Sequence, residues 1–253
     1  MLYLIGLGLK PKHLSIEALD AIRQCDQVFV DTYTSFYSEG SLAELEKLTE
    51  KKIHAFSRSQ IEEGSEKILS IAKSNKVALL VFGNPLTATT HVQLLLDAKK
   101  MKVKTQVIEG ISVTNALART GLDEYRFGRT VTIPEPKQGF EPDSFYGFIE
   151  QNNKLGLHTL CLLDTGDGHS FMDTKKALEV LEKTEKKNKK SMLQKAIIVL
   201  ISGLTSENEK IFAGTLKDAK KILLTGFPQS LIICGKLTEK EKEALRELHG
   251  FGA

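Results

Sequence analysis

Apolar and polar positions along this chain alternate between two kinds of segment. Short, largely apolar runs read as strands, and Val77–Gly83, apolar or glycine throughout, as one buried on both faces. The runs are Tyr3–Gly6, Val28–Asp31, Lys52–Phe56, Val77–Gly83 and Lys104–Ile108. Between them lie segments of helical period, Ser15–Cys25, Ser41–Thr49, Glu62–Ser74 and Thr89–Met101. In the first of these Ile16, Leu19 and Ile22 recur every three residues as one buried face, and Ser15 is positioned to cap the helix start. Strand and helix in strict alternation predict a parallel sheet with right-handed crossovers.

The pattern changes after Gly110. Gly110–Ala116 leads into a short helix ending near Gly121, and Pro134, Pro136, Gly139 and Pro142 crowd the next stretch with chain breakers. A second α/β unit comes after it. Its expected strands are Thr130–Ile133, Thr159–Asp164, Ala196–Ser202, Ile211–Thr215 and Leu231–Gly235. Its expected helices are Asp143–Lys154, Phe171–Lys187 and Glu239–His249. The fold class is therefore α/β with two α/β domains, residues 1–120 and 121–253. No tandem repeat is visible.

The most informative segment is Val77-Ala78-Leu79-Leu80-Val81-Phe82-Gly83-Asn84-Pro85-Leu86-Thr87-Ala88-Thr89-Thr90-His91. An apolar strand halts at Gly-Asn-Pro, where Pro85 fixes φ and offers no N–H. A hydroxyl-rich stretch then opens a helix. Such a unit puts a polar loop at the carboxyl edge of a parallel sheet, where open α/β folds bind small ligands. Gly6-Leu7-Gly8-Leu9-Lys10-Pro11 after the first strand is a poorer signal. A dinucleotide fingerprint needs a glycine where Pro11 stands and a helix opening at once. Asp31 does end the second strand, where a ribose-binding acid would sit, so a nucleotide-dependent oxidoreductase stays as an alternative.

Composition narrows the picture. The chain of 253 residues is 41% hydrophobic and 26% charged, as in a soluble globular protein. No apolar run approaches the ~20 residues of a membrane span. Met1-Leu2-Tyr3-Leu4-Ile5-Gly6 lacks the basic start of a signal peptide. The 35 basic residues are interspersed with 32 acidic ones, so the net charge of +3 does not call for nucleic acid. Lys183-Thr184-Glu185-Lys186-Lys187-Asn188-Lys189-Lys190 reads as a solvated helix end, with a docking patch for an acidic partner as the alternative. Cys25, Cys161 and Cys234 sit far apart in apolar contexts, as buried, reduced thiols of a cytoplasmic protein. His13, His54, His169 and His249 lack metal-ligand spacing, and no metal is expected. In Asp164-Thr165-Gly166-Asp167-Gly168-His169 the spacing of a calcium loop fails because Thr174 stands where its acid should be; this segment reads as a loop at a ligand cleft.

The Gly83–His91 segment resembles the signature Gly-Asp-Pro-Leu-x-Ala-Thr-Thr-His of the diphthine synthase family, within the tetrapyrrole-methylase-like, class III S-adenosylmethionine-dependent methyltransferases. Further blocks match in order: Leu2–Leu9, Cys25-Asp26, Tyr33-Thr34-Ser35, Gly121-Leu122 with Tyr125 and Phe127-Gly128, Gly156–Leu160 with Leu163-Asp164, Ala213-Gly214, and Gly235-Lys236-Leu237. The resemblance implies a C-terminal mixed sheet and a cofactor cleft between the two domains. Contacts to S-adenosyl-L-methionine, or its product S-adenosyl-L-homocysteine, are then carried over to Leu9, Asn84, Thr87, Ser112, Val113, Leu163, Leu204 and Gln229. Two of these depart from the family pattern: Asn84 replaces Asp, losing a negative charge, and Gln229 replaces His.

The implied reaction is N-methylation of a modified histidine on translation elongation factor 2, in diphthamide biosynthesis. Archaeal members make trimethylated diphthine, and eukaryotic relatives add a methyl ester. A homodimer is implied, with no membrane and no nucleic-acid partner. His91 and His158 match family positions, each with a structural hydrogen bond as its ordinary use, and no catalytic base is identified. Asp164, Glu109 and Tyr33 are candidates to line a site for a cationic product. Two alternatives share the fold: a precorrin or other tetrapyrrole methyltransferase, and a catalytically degenerate elongation-factor-binding relative.

Overall fold

The first apolar run forms strand β1 (Leu2–Gly6), buried at every residue. Leu2 and Leu4 enter an apolar cluster with Leu69, Leu79 and Leu94, while Tyr3 and Ile5 enter another with Ile22, Val30, Leu45 and Leu80. A strand with apolar side chains on both faces belongs in the interior of a helix-covered sheet, and β1 is paired on both edges. This computed structural model describes residues 1–56, 65–165 and 171–252. It divides into a first unit, Met1–Ala116, and a second beginning at Leu117.

The first unit continues with α1 (Ile16–Arg23), β2 (Gln27–Asp31), α2 (Leu42–Thr49), β3 (His54–Phe56), α3 (Ser65–Ser74), β4 (Val77–Val81), α4 (Val92–Lys100), β5 (Thr105–Ile108) and α5 (Val113–Ala116). All five strands are parallel, in the order β3-β2-β4-β1-β5. The expected helix starts are seen at the caps: Ser15 Oγ accepts from Ala18 N at 3.0 Å and Ser41 Oγ from Glu44 N at 3.2 Å; the buried face of α1 is made by Ala18, Ala21 and Ile22, and Ile16, expected on it, is exposed in the first turn. The start expected at Glu62 lies outside the described residues. Because β1 sits between β4 and β5, the loops after all three strands emerge side by side.

Among the boundaries that differ from expectation, two flank the β4 loop. β4 ends at Val81 rather than Gly83, because the chain turns just beyond the ends of both β1 and β4. Gly8 and Gly83 have φ of 70° and 76°, and exchange two backbone hydrogen bonds of 3.1 and 2.8 Å across a single bridge. α4 begins at Val92 rather than Thr89, because Thr89 Oγ1 donates to the Pro85 carbonyl at 2.7 Å within a tight loop.

The second unit holds β6 (Val131–Ile133), α6 (Ser144–Lys154), β7 (Thr159–Leu163), α7 (Thr174–Lys187), β8 (Ile197–Ser202), β9 (Lys210–Thr215), α8 (Leu216–Ala219), β10 (Gln229–Ile233) and α9 (Glu239–His249). Its sheet runs β6-β7-β10-β8-β9, with β6 and β7 parallel and the other pairings antiparallel. The expected mixed sheet is thus observed. The short α8, capped by Thr215 Oγ1 on Asp218 N, is an addition to the expected helices. The core gathers Ile133, Ile149, Cys161, Leu181, Ile198, Leu200 and Leu231. Much of the expected cleft loop, residues 166–170, lies outside the described residues. The lysine run ends α7 in ion pairs, Lys183–Glu141, Lys187–Asp143 and Lys190–Glu150, at 2.7–2.9 Å. Among the described residues no helix is long and apolar enough to cross a membrane.

Candidate functional site

At the carboxyl ends of β1, β4 and β5 three glycines bring backbone against backbone. A Cβ on Gly6 would stand 2.5 Å from Gly110 N and 2.8 Å from the Gly83 carbonyl oxygen, and one on Gly110 would overlap that same oxygen. Real side chains do not tolerate such distances, so the junction stays bare. A bare backbone edge where parallel strands end is where a ligand can come close to the main chain.

The loop leaving β4 is tightly organised. Asn84 Oδ1 accepts from Leu86 N at 3.0 Å, an Asx turn, while Asn84 Nδ2 donates to the Glu109 carboxylate at the end of β5. Ala88 is held at φ 56°, a left-handed conformation that costs a non-glycine residue about 1–2 kcal/mol. Strain of this kind persists only where surrounding contacts over-determine it. Here Thr89 bonds the Pro85 carbonyl, Thr87 N donates to the Asn84 carbonyl at 3.4 Å, and His91 braces the loop from within.

His91 is fully buried. Its Nδ1 lies 3.0 Å from the Pro85 carbonyl, which can only accept, so Nδ1 carries the proton. Its Nε2 stands 3.4 Å from Asp31 Oδ2 without hydrogen-bond geometry. Asp31, also fully buried, accepts from Tyr33 N at 2.9 Å and Thr34 Oγ1 at 2.7 Å. Asp31 therefore organises the turn after β2, and His91 fixes the β4 loop beside it.

Of the carried-over residues in this unit, all five sit at this edge. Leu9 follows the Gly8 turn, its carbonyl accepting from Ser38 N and Oγ at 2.8 Å. Asn84 and Thr87 lie in the β4 loop. Ser112, nearly buried, turns its N–H onto Asn115 Oδ1 at 3.0 Å and its hydroxyl onto Thr114 Oγ1 at 2.6 Å, and Val113 opens α5. Gly83 faces Ser112, a Cβ there lying 3.6 Å from that of Ser112. The edge therefore offers hydroxyls, main-chain groups and the Glu109 carboxylate.

The remaining three sit on the second sheet. Leu163 ends β7, Leu204 follows β8, and Gln229 begins the antiparallel β10, paired with Ser202. The side chain of Gln229 is occupied. Its Oε1 accepts from Thr174 N at 2.8 Å and Thr174 Oγ1 at 3.0 Å; its Nε2 donates to the carbonyls of Leu224 at 3.0 Å and Gly226 at 2.8 Å. Gln229 thus ties the start of α7 to the loop before β10, a use the sequence could not reveal because Thr174 lies 55 positions away.

His158 is likewise structural. Its Nδ1 accepts from Gly235 N at 3.0 Å, so Nε2 carries the proton and donates to Glu241 Oε1 at 2.9 Å. Burial works to raise the pKa of Glu241, but hydrogen bonds from Thr238 N, His158, Asp123 N and the Thr238 hydroxyl outweigh it and bring it to about 2. Burial pushes the Cys25 thiol up to about 11, and those of Cys161 and Cys234 higher still, so none is a ready nucleophile. Among the described residues no group of His, Cys, Asp and Glu is arranged to hold a metal.

The family model for tetrapyrrole (corrin/porphyrin) methylases matches residues 1–220. A diphthine synthase of Methanosarcina mazei is 36% identical over 98% of this chain and 96% of its own. A protein of Arabidopsis thaliana named probable diphthine methyl ester synthase is 35% identical, covering 97% of both chains. A crystal structure of diphthine synthase superposes with a TM-score of 0.89 at 32% identity, over 99% of this chain and 97% of the other. The chain belongs to the tetrapyrrole methylase family of methyltransferases. These full-length relatives carry diphthine synthase names, and the resemblance read from the Gly83–His91 signature holds across the whole chain.

Proposed function

We propose that the protein transfers methyl groups from S-adenosylmethionine to the amino group of the modified histidine of translation elongation factor 2, in the manner of a diphthine synthase. The observation that carries the reading is the bare glycine edge at the ends of β1, β4 and β5, in a chain whose full-length relatives bear that name. The residues present suit the donor: main chain open to close approach, hydroxyls at Thr87 and Ser112, and a carboxylate at Glu109 for a ligand that is positively charged. When bound, the donor supplies a methyl carbon already activated by its sulfonium. The chain's own task is to hold and orient it and to exclude water, so that the amine meets the carbon in line. Leu9, Asn84, Thr87, Ser112 and Val113 are the contacts we assign at this edge. Leu163, Leu204 and Gln229 enter through the resemblance, and Gln229 would act through its main chain. No protein group is assigned as base; the amine loses its proton to solvent. The protein on this reading is a cytoplasmic homodimer, which light scattering on the purified chain would check.

The test is calorimetric titration with S-adenosylmethionine and S-adenosylhomocysteine, followed by incubation with elongation factor 2 carrying the unmethylated modification. Saturable binding and mass gained in whole methyl steps are expected. A folded protein that binds neither ligand at millimolar concentration would sink the reading in favour of a degenerate binding relative. The Arabidopsis relative favours a second product, a methyl ester. Methyl released as methanol by mild alkali would reveal it, because N-methyl groups survive that treatment.

A further inference from the structure

We propose that Glu109, held in position by Asn84, is the anionic group that meets the positive charge of the methyl donor. This rests on the donor reading and names the residue that sets its preference for a cation.

Three observations support it. First, the Asn84 amide is fixed at both ends, Oδ1 by Leu86 N and Nδ2 by the Glu109 carboxylate. An aspartate could make the turn to Leu86, but it has no N–H to offer Glu109, and would set two carboxylates against each other. Asparagine is the residue that both shapes the loop and holds a neighbouring acid. Second, Glu109 immediately precedes Gly110, whose main chain forms the bare junction with Gly6 and Gly83. Its tie to Asn84 directs the carboxylate across from the β5 end to the β4 loop. Third, among the described residues no lysine, arginine or histidine pairs with Glu109; its partner is a neutral amide. Some acids of the chain, such as Glu141, Asp143 and Glu150, face lysines, whereas Glu109 does not. Glu109 thus stands without a counter-cation beside an edge built for close approach. Its charge is screened while exposed, and its pull on a cation strengthens once a ligand displaces water from it. The negative charge absent from residue 84 is thus present at the end of a nearby strand.

Moving the charge tests the idea. Wild type, Glu109→Gln, Asn84→Asp and the double variant are titrated calorimetrically with S-adenosylmethionine and S-adenosylhomocysteine, with thermal unfolding of each as a folding control. Gln at 109 still accepts from Asn84 Nδ2, so the loop geometry is preserved while the charge is lost. Glu109→Gln is expected to weaken S-adenosylmethionine binding about tenfold, the size of a lost charge-assisted hydrogen bond. Asn84→Asp in that background restores a carboxylate, and recovers most of the loss. Increasing salt weakens the wild type more than Glu109→Gln. Wild-type affinity in a folded Glu109→Gln variant, or a double variant as weak as Glu109→Gln, overturns the proposal and leaves the donor reading intact. Absence of donor binding by the wild type overturns both.

Discussion

Gln229 shows how one side chain can carry a task of which its own neighbourhood in sequence gives no sign. Family resemblance puts it among ligand contacts; its amide makes four hydrogen bonds within the second unit. Replacing it with leucine strands the Thr174 N–H and two carbonyls in a buried setting. Each unpaired group costs about 1–3 kcal/mol, so Gln229→Leu should lower the urea unfolding free energy by about 3 kcal/mol or more. A loss under about 1 kcal/mol would show that solvent replaces those bonds. The glycines of the bare edge are a second case. Gly110→Ala forces a methyl into the Gly83 carbonyl, and overpacking of this kind costs about 1–3 kcal/mol. Donor affinity should fall with it, which the same titration detects, whereas Gly147→Ala, with open space around the added methyl, should leave donor affinity unchanged.

At the scale of elements, α9 is secured by a capping box in which Thr238 and Glu241 bond each other's main chain. Glu241 also receives His158 and Asp123, and this hub holds its folded pKa near 2 against an ordinary 4.5. A carboxylate depressed on folding stabilises the protein fully above its unfolded value, and that stabilisation is lost as pH falls from about 4.5 toward 2. The difference corresponds to about 3 kcal/mol. Chemical denaturation from pH 6 to 3 should show this decline, and Glu241→Gln should flatten it while lowering stability at neutral pH. The β4 loop makes a comparable element: with His91→Ala the Pro85 carbonyl loses its buried donor and Ala88 its support. Donor affinity should then drop at least as much as stability. The elements are readable wherever local pattern decides them. β1 and β4 announce themselves by apolar runs, and α1, α2 and α9 by caps. The end of β4 is not legible locally, because its termination depends on Gly8, 75 positions earlier, and the four residues of α8 are too few to show a period.

For the molecule as a whole, the parallel half is legible because strand–helix alternation imposes its topology. The antiparallel pairing of β10 with β7 and β8 is implied by the family resemblance and not by the pattern, since partners far apart in sequence leave no periodic trace. The same limit explains Asn84: on its own it reads as a missing charge, and only the pairing of β5 beside β1 brings Glu109 into view. The three cysteines offer a check that spans both cores. With every thiol buried and its pKa raised, a disulfide reagent at neutral pH should modify none in the native protein and all three after unfolding. Rapid native labelling would reveal an opening of the fold far below the global unfolding energy.

The meeting of Gly6, Gly83 and Gly110 has a consequence for descent as well as for binding. A surface made of main chain leaves mutation little to vary: a side chain at Gly6 or Gly110 would collide with backbone, and one at Gly83 would have to adopt a left-handed φ. Diversification of such a scaffold is therefore channelled into the loops beyond the junction. Exchanges such as aspartate for asparagine can occur there without disturbing the frame, provided a neighbour takes up the duty.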